Sequence, residues 1–275
     1  MSKIKTRFRI SPKQVDRAFA FAEQICKGRA QSHRDFGSKR GRKTVDFIAD
    51  TVEGKLAEEG FAKFLRANFG IDVEVDYDIY PDRNETDYGN DLQGIEIDGS
   101  PMVGVFKVDI KSARHYSKWL LVEDHKFRGA NLYVLVTIHG LDKDWEDNPY
   151  AYRRKPIDIT VAGFAFYTDF IHLPSKKPWF VFKQGAPLIR TSDALMIVRG
   201  LKKRRKLNPV WIKKVASRMM KAGRITPMKV RLKAPLNYGI PKDWLRSGDQ
   251  WLQVVKLLKL GTLKPKNHIV YRQVK

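Results

Sequence analysis

Three polar residues in the first half of the chain have the types and spacing that phosphodiester hydrolysis requires. Asp91 follows a polar segment, and Asp109 and Lys111 lie two residues apart in the next apolar stretch. Alternate side chains of a strand leave the same face, so Asp109 and Lys111 are predicted to lie side by side. Two convergent carboxylates can hold a divalent cation, which polarises a phosphate and activates a water. A neighbouring lysine can orient or deprotonate that water, or stabilise charge on the phosphate.

The pattern of an acid, any residue and a lysine is not specific by itself. It occurs three times, at residues 53–55, 109–111 and 124–126. Only the second copy ends an apolar stretch, residues 103–108, and follows another acid, Asp91, in the preceding predicted strand. Ionised groups beside a core strand are costly unless they are paired or bind a metal. The alternative interpretation is a surface Asp–Lys pair at the end of a strand.

Apolar periodicity predicts the elements that must position these residues. A first helix is predicted to begin at Ser11-Pro12. Residues 44–69 are predicted to form a second helix with Gly70 as its C-cap, either continuous or broken near Gly54. Further helical patterns cover residues 201–223 and 244–260. The predicted strands are residues 73–79, 92–97, 102–110, 132–138, 159–167 and 179–182, with a turn at 98–101 and a less regular link at 119–122.

The order of a helix, three strands, a link and a β-branched strand predicts an α/β fold with residues 132–138 as a central buried strand. We expect a single domain over residues 1–275. Its core would span about residues 44–182, with a basic N-terminal helix and arm at 1–43 and a basic, mainly helical region at 183–275.

The charge of the chain indicates a polyanionic partner. Its 53 Lys and Arg against 30 Asp and Glu give a net charge of +23. Residues 1–147 hold 24 basic and 25 acidic side chains, so the remaining 29 and 5 lie in residues 148–275. An evenly solvated basic surface is the alternative. The candidates for phosphate contacts are Lys202, Lys203, Arg204, Arg205 and Lys206 and, in the basic segment 27–43, Lys39, Arg40, Arg42 and Lys43.

The single cysteine, Cys26, excludes an internal disulfide framework and a multi-cysteine zinc site. No apolar run reaches the length of a membrane span. We therefore expect a cytoplasmic protein without a membrane partner.

Residues 53–138 resemble the PD-(D/E)xK nuclease superfamily. The resemblance rests on the helix, the strands, Asn90-Asp91 and the segment 108–112, although Asn90 stands where the family pattern has proline. It implies a restriction-endonuclease-like mixed central sheet flanked by helices, and Mg²⁺ bound by Asp91 and Asp109, with Mn²⁺ as a substitute. It also implies a metal-binding glutamate on the preceding helix. Glu58 is our choice for it, with Glu59 and Glu53 as alternatives.

Among nucleases, the length outside the core favours a type II restriction endonuclease. Such an enzyme would act as a homodimer on double-stranded DNA, and each subunit would cut one strand of a short palindromic site. A structure-selective DNA nuclease of the resolvase or recombination type is the alternative enzyme. From another class, a non-catalytic nucleic-acid-binding protein would explain the charge, but not two acids that would face a phosphate backbone.

Overall fold

The computed structural model describes residues 3–32, 44–79, 91–97, 100–102, 107–124, 126–127, 130–141, 144–171, 180–184, 187–203, 209–225, 228–232 and 236–259. Its helices are α1 (Pro12–Ser32), α2 (Thr44–Phe69), α3 (Asp144–Asp147), α4 (Tyr167–Ile171), α5 (Thr191–Lys203), α6 (Pro209–Lys221) and α7 (Trp251–Lys259). Its strands are β1 (Arg7–Ile10), β2 (Ile71–Val75), β3 (Leu92–Ile97), β4 (Ser100–Met102), β5 (Val108–Arg114), β6 (Trp119–Glu123), β7 (Leu132–Ile138), β8 (Ile157–Phe166), β9 (Phe180–Lys183), β10 (Pro187–Leu188), β11 (Met228–Arg231) and β12 (Leu236–Pro241).

A mixed four-stranded sheet in the order β1-β8-β7-β5 forms the centre of the molecule. Strands β5 and β7 are parallel, with Asp109 opposite Tyr133, and the other neighbours are antiparallel. All seven residues of β7 are buried, because it has neighbours on both sides and is covered on both faces. The predicted α/β class and the central strand at residues 132–138 are confirmed.

Helices α1, α2 and α7 cover one face of this sheet. Their apolar residues share one core with Val108 and Ile110 of β5 and with alternate residues of β7. Helix α2 has the bounds that the sequence predicts and is unbroken at Gly54, and Gly70 ends it with a φ of 65°. Gly60 lets α2 approach β8, because a Cβ there would lie 2.5 Å from the Cδ1 of Ile159.

A second sheet, β6-β12-β9, covers the opposite face. Leu120, Val122 and Ile240 pack there against Tyr133 and Leu135 of β7 in a separate core. Residues 119–122, predicted as an irregular link, are therefore part of a strand, since β6 pairs with the distant β12. Chain periodicity does not reveal such a partner.

Several predicted boundaries are wrong. Within the strand predicted at 102–110, the described residues belong to two sheets, with Met102 in β4 and Val108 in β5. Helix α1 continues to Ser32, into the segment predicted to be a basic loop. The helix predicted at 201–223 is the end of α5 followed by α6, and the one predicted at 244–260 begins only at Trp251.

The N-terminal and C-terminal segments contribute to the fold beyond residues 44–182. Strand β1 is an edge of the central sheet, and Trp251 of α7 packs against Phe61, Phe64 and Phe164. Region 183–275 contains β10, β11 and β12 besides the helices α5, α6 and α7. None of the helices described is both long enough and apolar enough to cross a membrane.

Candidate active site

Asp91 lies beside the first residues of β5, the edge strand of the central sheet. Its backbone N–H donates to the carbonyl of Val108 at 2.9 Å, and its Oδ2 accepts from the N–H of Ile110. The two bonds fix both the backbone and the carboxylate. The first predicted acid is therefore held against the strand that bears the second one, although β3, which follows Asp91, pairs in the described residues with β2 and β4 and not with β5.

Asp109 and Lys111 lie on one face of β5, as predicted from their spacing. Lys111 Nζ is 2.8 Å from Asp109 Oδ2, and both side chains are largely buried. The pair lies near the beginning of the strand, not at its end as predicted, because β5 continues to Arg114. Despite the short distance, Asp109 Oδ2 has no partner in hydrogen-bond geometry among the described residues. It is a buried acceptor whose described charge partner is the ammonium of Lys111.

The electrostatics of Asp91 show that the two aspartates act on each other. Burial, and next the charge of Asp109, raise the pKa of Asp91 to about 7. The hydrogen bond from Ile110 and the charges of Lys111 and Lys126 oppose this rise. The negative charge of Asp109 therefore disfavours ionisation of Asp91, and a bound cation would favour it.

Glu58 approaches the aspartates from helix α2. Burial raises its pKa to about 8, and the charges of Asp91 and Asp76 add to the rise. Lys55, one turn earlier, opposes it with an ion pair of 2.7 Å to Glu58 Oε2. Asp91 thus has a charge interaction with Asp109 on the sheet and another with Glu58 on the helix.

The other two glutamates that were considered have different partners. Glu59 accepts hydrogen bonds from Gln14 Nε2 and from the hydroxyl of Tyr77, the latter at 3.1 Å. Glu53 lies 3.8 Å from Arg114 in an ion pair. The charge of Asp91 acts on Glu58.

Sequence reasoning missed two lysines beside these acids. Lys55 donates to the backbone carbonyl of Asp76 as well as pairing with Glu58, and its spacing of three from Glu58 on a predicted helix was a usable signal. Lys126 belongs to the third acid-x-lysine copy, and its charge acts on Asp91. No local pattern predicts that approach, because residues 91 and 126 meet only in the folded chain.

Most of the predicted phosphate-binding segments lie outside the described residues. This applies to Lys39, Arg40, Arg42 and Lys43 and to Arg204, Arg205 and Lys206. Lys202 and Lys203 are the last residues of α5 and not the beginning of a helix. The C-terminal end of a helix is the end whose dipole favours cations. Their role in binding remains a prediction.

Within the described ranges, no group of three or more His, Cys, Asp or Glu residues forms an arrangement that could hold a metal ion. The carboxylates of Asp91 and Asp109 are the pair from which such a site would have to be built. Comparison of the chain with protein-family models, curated protein sequences and solved structures found no match.

Proposed function

We propose that the chain is a Mg²⁺-dependent endonuclease that hydrolyses double-stranded DNA. The observation that supports this best is the convergence of Asp91 and Asp109 beside Lys111 at the edge of the central sheet. A charged residue on a core strand is costly, and a neighbouring buried acid with a raised pKa, Asp91, adds to that cost. Such an arrangement is typical of a functional site.

The two aspartates suit Mg²⁺, an ion that does not need a closed cage of protein ligands. Mg²⁺ keeps several waters and binds through one or two carboxylates together with substrate phosphates. Two acids therefore suffice, and the absence of a three-residue group in the described ranges does not conflict with this ion. The buried Asp109 Oδ2, which pairs with the ammonium of Lys111, is an oxygen ligand of the kind that Mg²⁺ prefers. Mn²⁺, with similar ligands, is expected to substitute.

The residues of the chain would share the catalytic work. Bound Mg²⁺ would supply Lewis-acid polarisation of the phosphate and a more acidic water. Asp91 and Asp109 would hold the ion, and the ammonium of Lys111, placed 2.8 Å from Asp109, would orient the attacking water or stabilise the developing phosphate charge. Glu58 would act on the site through its charge interaction with Asp91, because within the described ranges it forms no three-acid group with the two aspartates.

We further propose a restriction-endonuclease-like fold and a type II restriction activity. The mixed sheet, the parallel pair β5 and β7, and helix α2 packed across the sheet are consistent with that fold. The proposed enzyme is a homodimer, because one catalytic centre cuts one strand and a double-strand break needs two. The basic second half of the chain supports a DNA substrate.

Plasmid cleavage tests the proposal directly. Supercoiled plasmid incubated with the protein and Mg²⁺ should yield discrete fragments, and EDTA should prevent them. Asp109→Ala should abolish cleavage but keep or strengthen metal-free DNA binding, because it removes a negative charge close to the phosphates. The matched control is Asp124→Ala, an exposed acid of the same acid-x-lysine pattern, which should cleave normally.

The other outcomes distinguish the alternatives. Cleavage restricted to branched DNA would indicate a structure-selective nuclease. No cleavage of any DNA with Mg²⁺ or Mn²⁺ would overturn the enzymatic proposal, and DNA binding alone would then support a non-catalytic nucleic-acid-binding protein.

A further inference from the structure

Two histidines stack at the end of β5 that lies far from Asp91. His115 follows β5 and His139 follows β7; their ring centroids are 5.5 Å apart and their planes differ by 18°. The N–H of His115 donates to the carbonyl of Ile138 at 2.9 Å, which extends the parallel pairing of the two strands. The histidines are therefore placed by the sheet itself.

The charge of Lys242 reaches His139, and Lys118 lies next to Lys242. The N–H of Lys242, just after β12, donates to the carbonyl of Lys118, just before β6, at 2.8 Å. Burial and the charge of Lys118 lower the pKa of Lys242. Burial and the charges of Arg7, His115 and Lys242 lower the pKa of His139. We call Arg7, His115, Lys118, His139 and Lys242 the basic cluster.

The acids near the basic cluster do not balance its charge. Asp158 is the acid that faces His139, and it already pairs with both Arg7 and Arg9 at 2.9 Å. Asp243 acts on Lys242, but less strongly than Lys118 does. Like charges held together by backbone hydrogen bonds oppose one another unless an anion joins them. The basic cluster therefore has the character of an anion site.

We propose that the basic cluster binds the phosphate backbone of double-stranded DNA, in the same complex that places the scissile phosphate at Asp91 and Asp109. This inference rests on the proposed nuclease function. His115 lies four residues beyond Lys111, and alternation places both on the same face of β5. At about 3.3 Å per residue, the separation is about 13 Å, or about four nucleotides along one strand. One short duplex can reach both places.

The salt dependence of DNA binding tests this site without any cleavage. Binding of a duplex oligonucleotide would be measured in EDTA over a range of salt concentrations, for the wild type and for Lys118→Gln combined with Lys242→Gln. Loss of two phosphate contacts should weaken binding and reduce the slope of log K against log salt by about 1.8. The matched control combines Lys13→Gln with Lys256→Gln, two exposed lysines on helices that cover the opposite face.

The control pair, with the same change of net charge, should leave the slope unchanged. An unaltered slope in the Lys118 and Lys242 variant, or an equal change in both pairs, would overturn the proposed site. Plasmid cleavage by the wild type would be measured in parallel. A reduced slope without any wild-type cleavage would support the basic cluster and refute the nuclease, whereas cleavage with an unaltered slope would do the opposite.

Discussion

Lys55 Nζ lies 2.7 Å from Glu58 Oε2 within helix α2, and the two side chains are only 13% and 11% exposed. The same ammonium donates to the carbonyl of Asp76. This buried ion pair does not keep Glu58 ionised, because the cost of burial is larger and raises its pKa to about 8. At neutral pH the helix therefore presents a glutamate that is mainly protonated in the absence of a further cation.

The first prediction concerns the pH dependence of stability. Between about pH 4.5 and 8, unfolded Glu58 is ionised while the folded form retains its proton, so this residue makes the protein less stable as pH rises. The contribution reaches up to about 1.4 kcal/mol per pH unit. Glu58→Gln removes it, so the Tm of the variant minus that of the wild type should grow from pH 5 to pH 8 without metal. The control is Asp72→Asn at an exposed acid. A Tm difference from the wild type that does not change with pH for either variant would contradict the prediction.

Lys111 is expected to contribute far more to cleavage than Lys126. Lys111→Met should lower the cleavage rate by about 10²–10⁴-fold, the range for loss of a positioned acid–base group. Lys126→Met should change it only slightly, because Lys126 is exposed and its charge is screened. Single-turnover rates at saturating protein measure this contrast. Equal losses in the two variants would mean that general charge, and not position, is what the site needs.

Two glycines of α2 should respond oppositely to alanine. Gly54→Ala should stabilise the protein by about 0.5–1 kcal/mol, because no atom lies within 4 Å of the new Cβ and alanine favours a helix. Gly60→Ala should destabilise it by about 1–3 kcal/mol, since its Cβ would lie 2.5 Å from Cδ1 and 2.6 Å from Cγ1 of Ile159. Urea denaturation measures both. Stabilisation by Gly60→Ala would show that α2 does not pack this closely on β8.

A partly buried ion pair should stabilise the junction of β8 and α4. Arg246 donates to both carboxylate oxygens of Asp169, at 2.9 and 2.6 Å, and Asp169 Oδ2 also accepts from the N–H of Phe166. Asp169→Ala should cost about 3 kcal/mol of unfolding free energy, because it leaves the arginine without its partner. Asp158→Ala, which removes the partner of two exposed arginines, should cost much less. Equal losses in denaturant melts would contradict this ranking.

Local patterns were sufficient for the elements that bear the site. The 3.6-residue periodicity predicted α2 with both of its ends, and the unbroken β-branched run predicted β7 as a buried strand. The spacing of two predicted that Asp109 and Lys111 share a face. These successes have one cause: helix and strand geometry fix which side chains of a short segment lie together.

The sequence by itself determined the types of the candidate catalytic residues, their local pairing and the large excess of basic side chains in the second half. Only the tertiary structure decided that Asp91 lies against β5, that its charge acts on Glu58 of α2, and that His115 and Lys242 belong to one cluster. These relationships join residues from separate elements. They depend on strand order and on which faces pack together, which are set by the burial of the whole core and not by the spacing within any one segment.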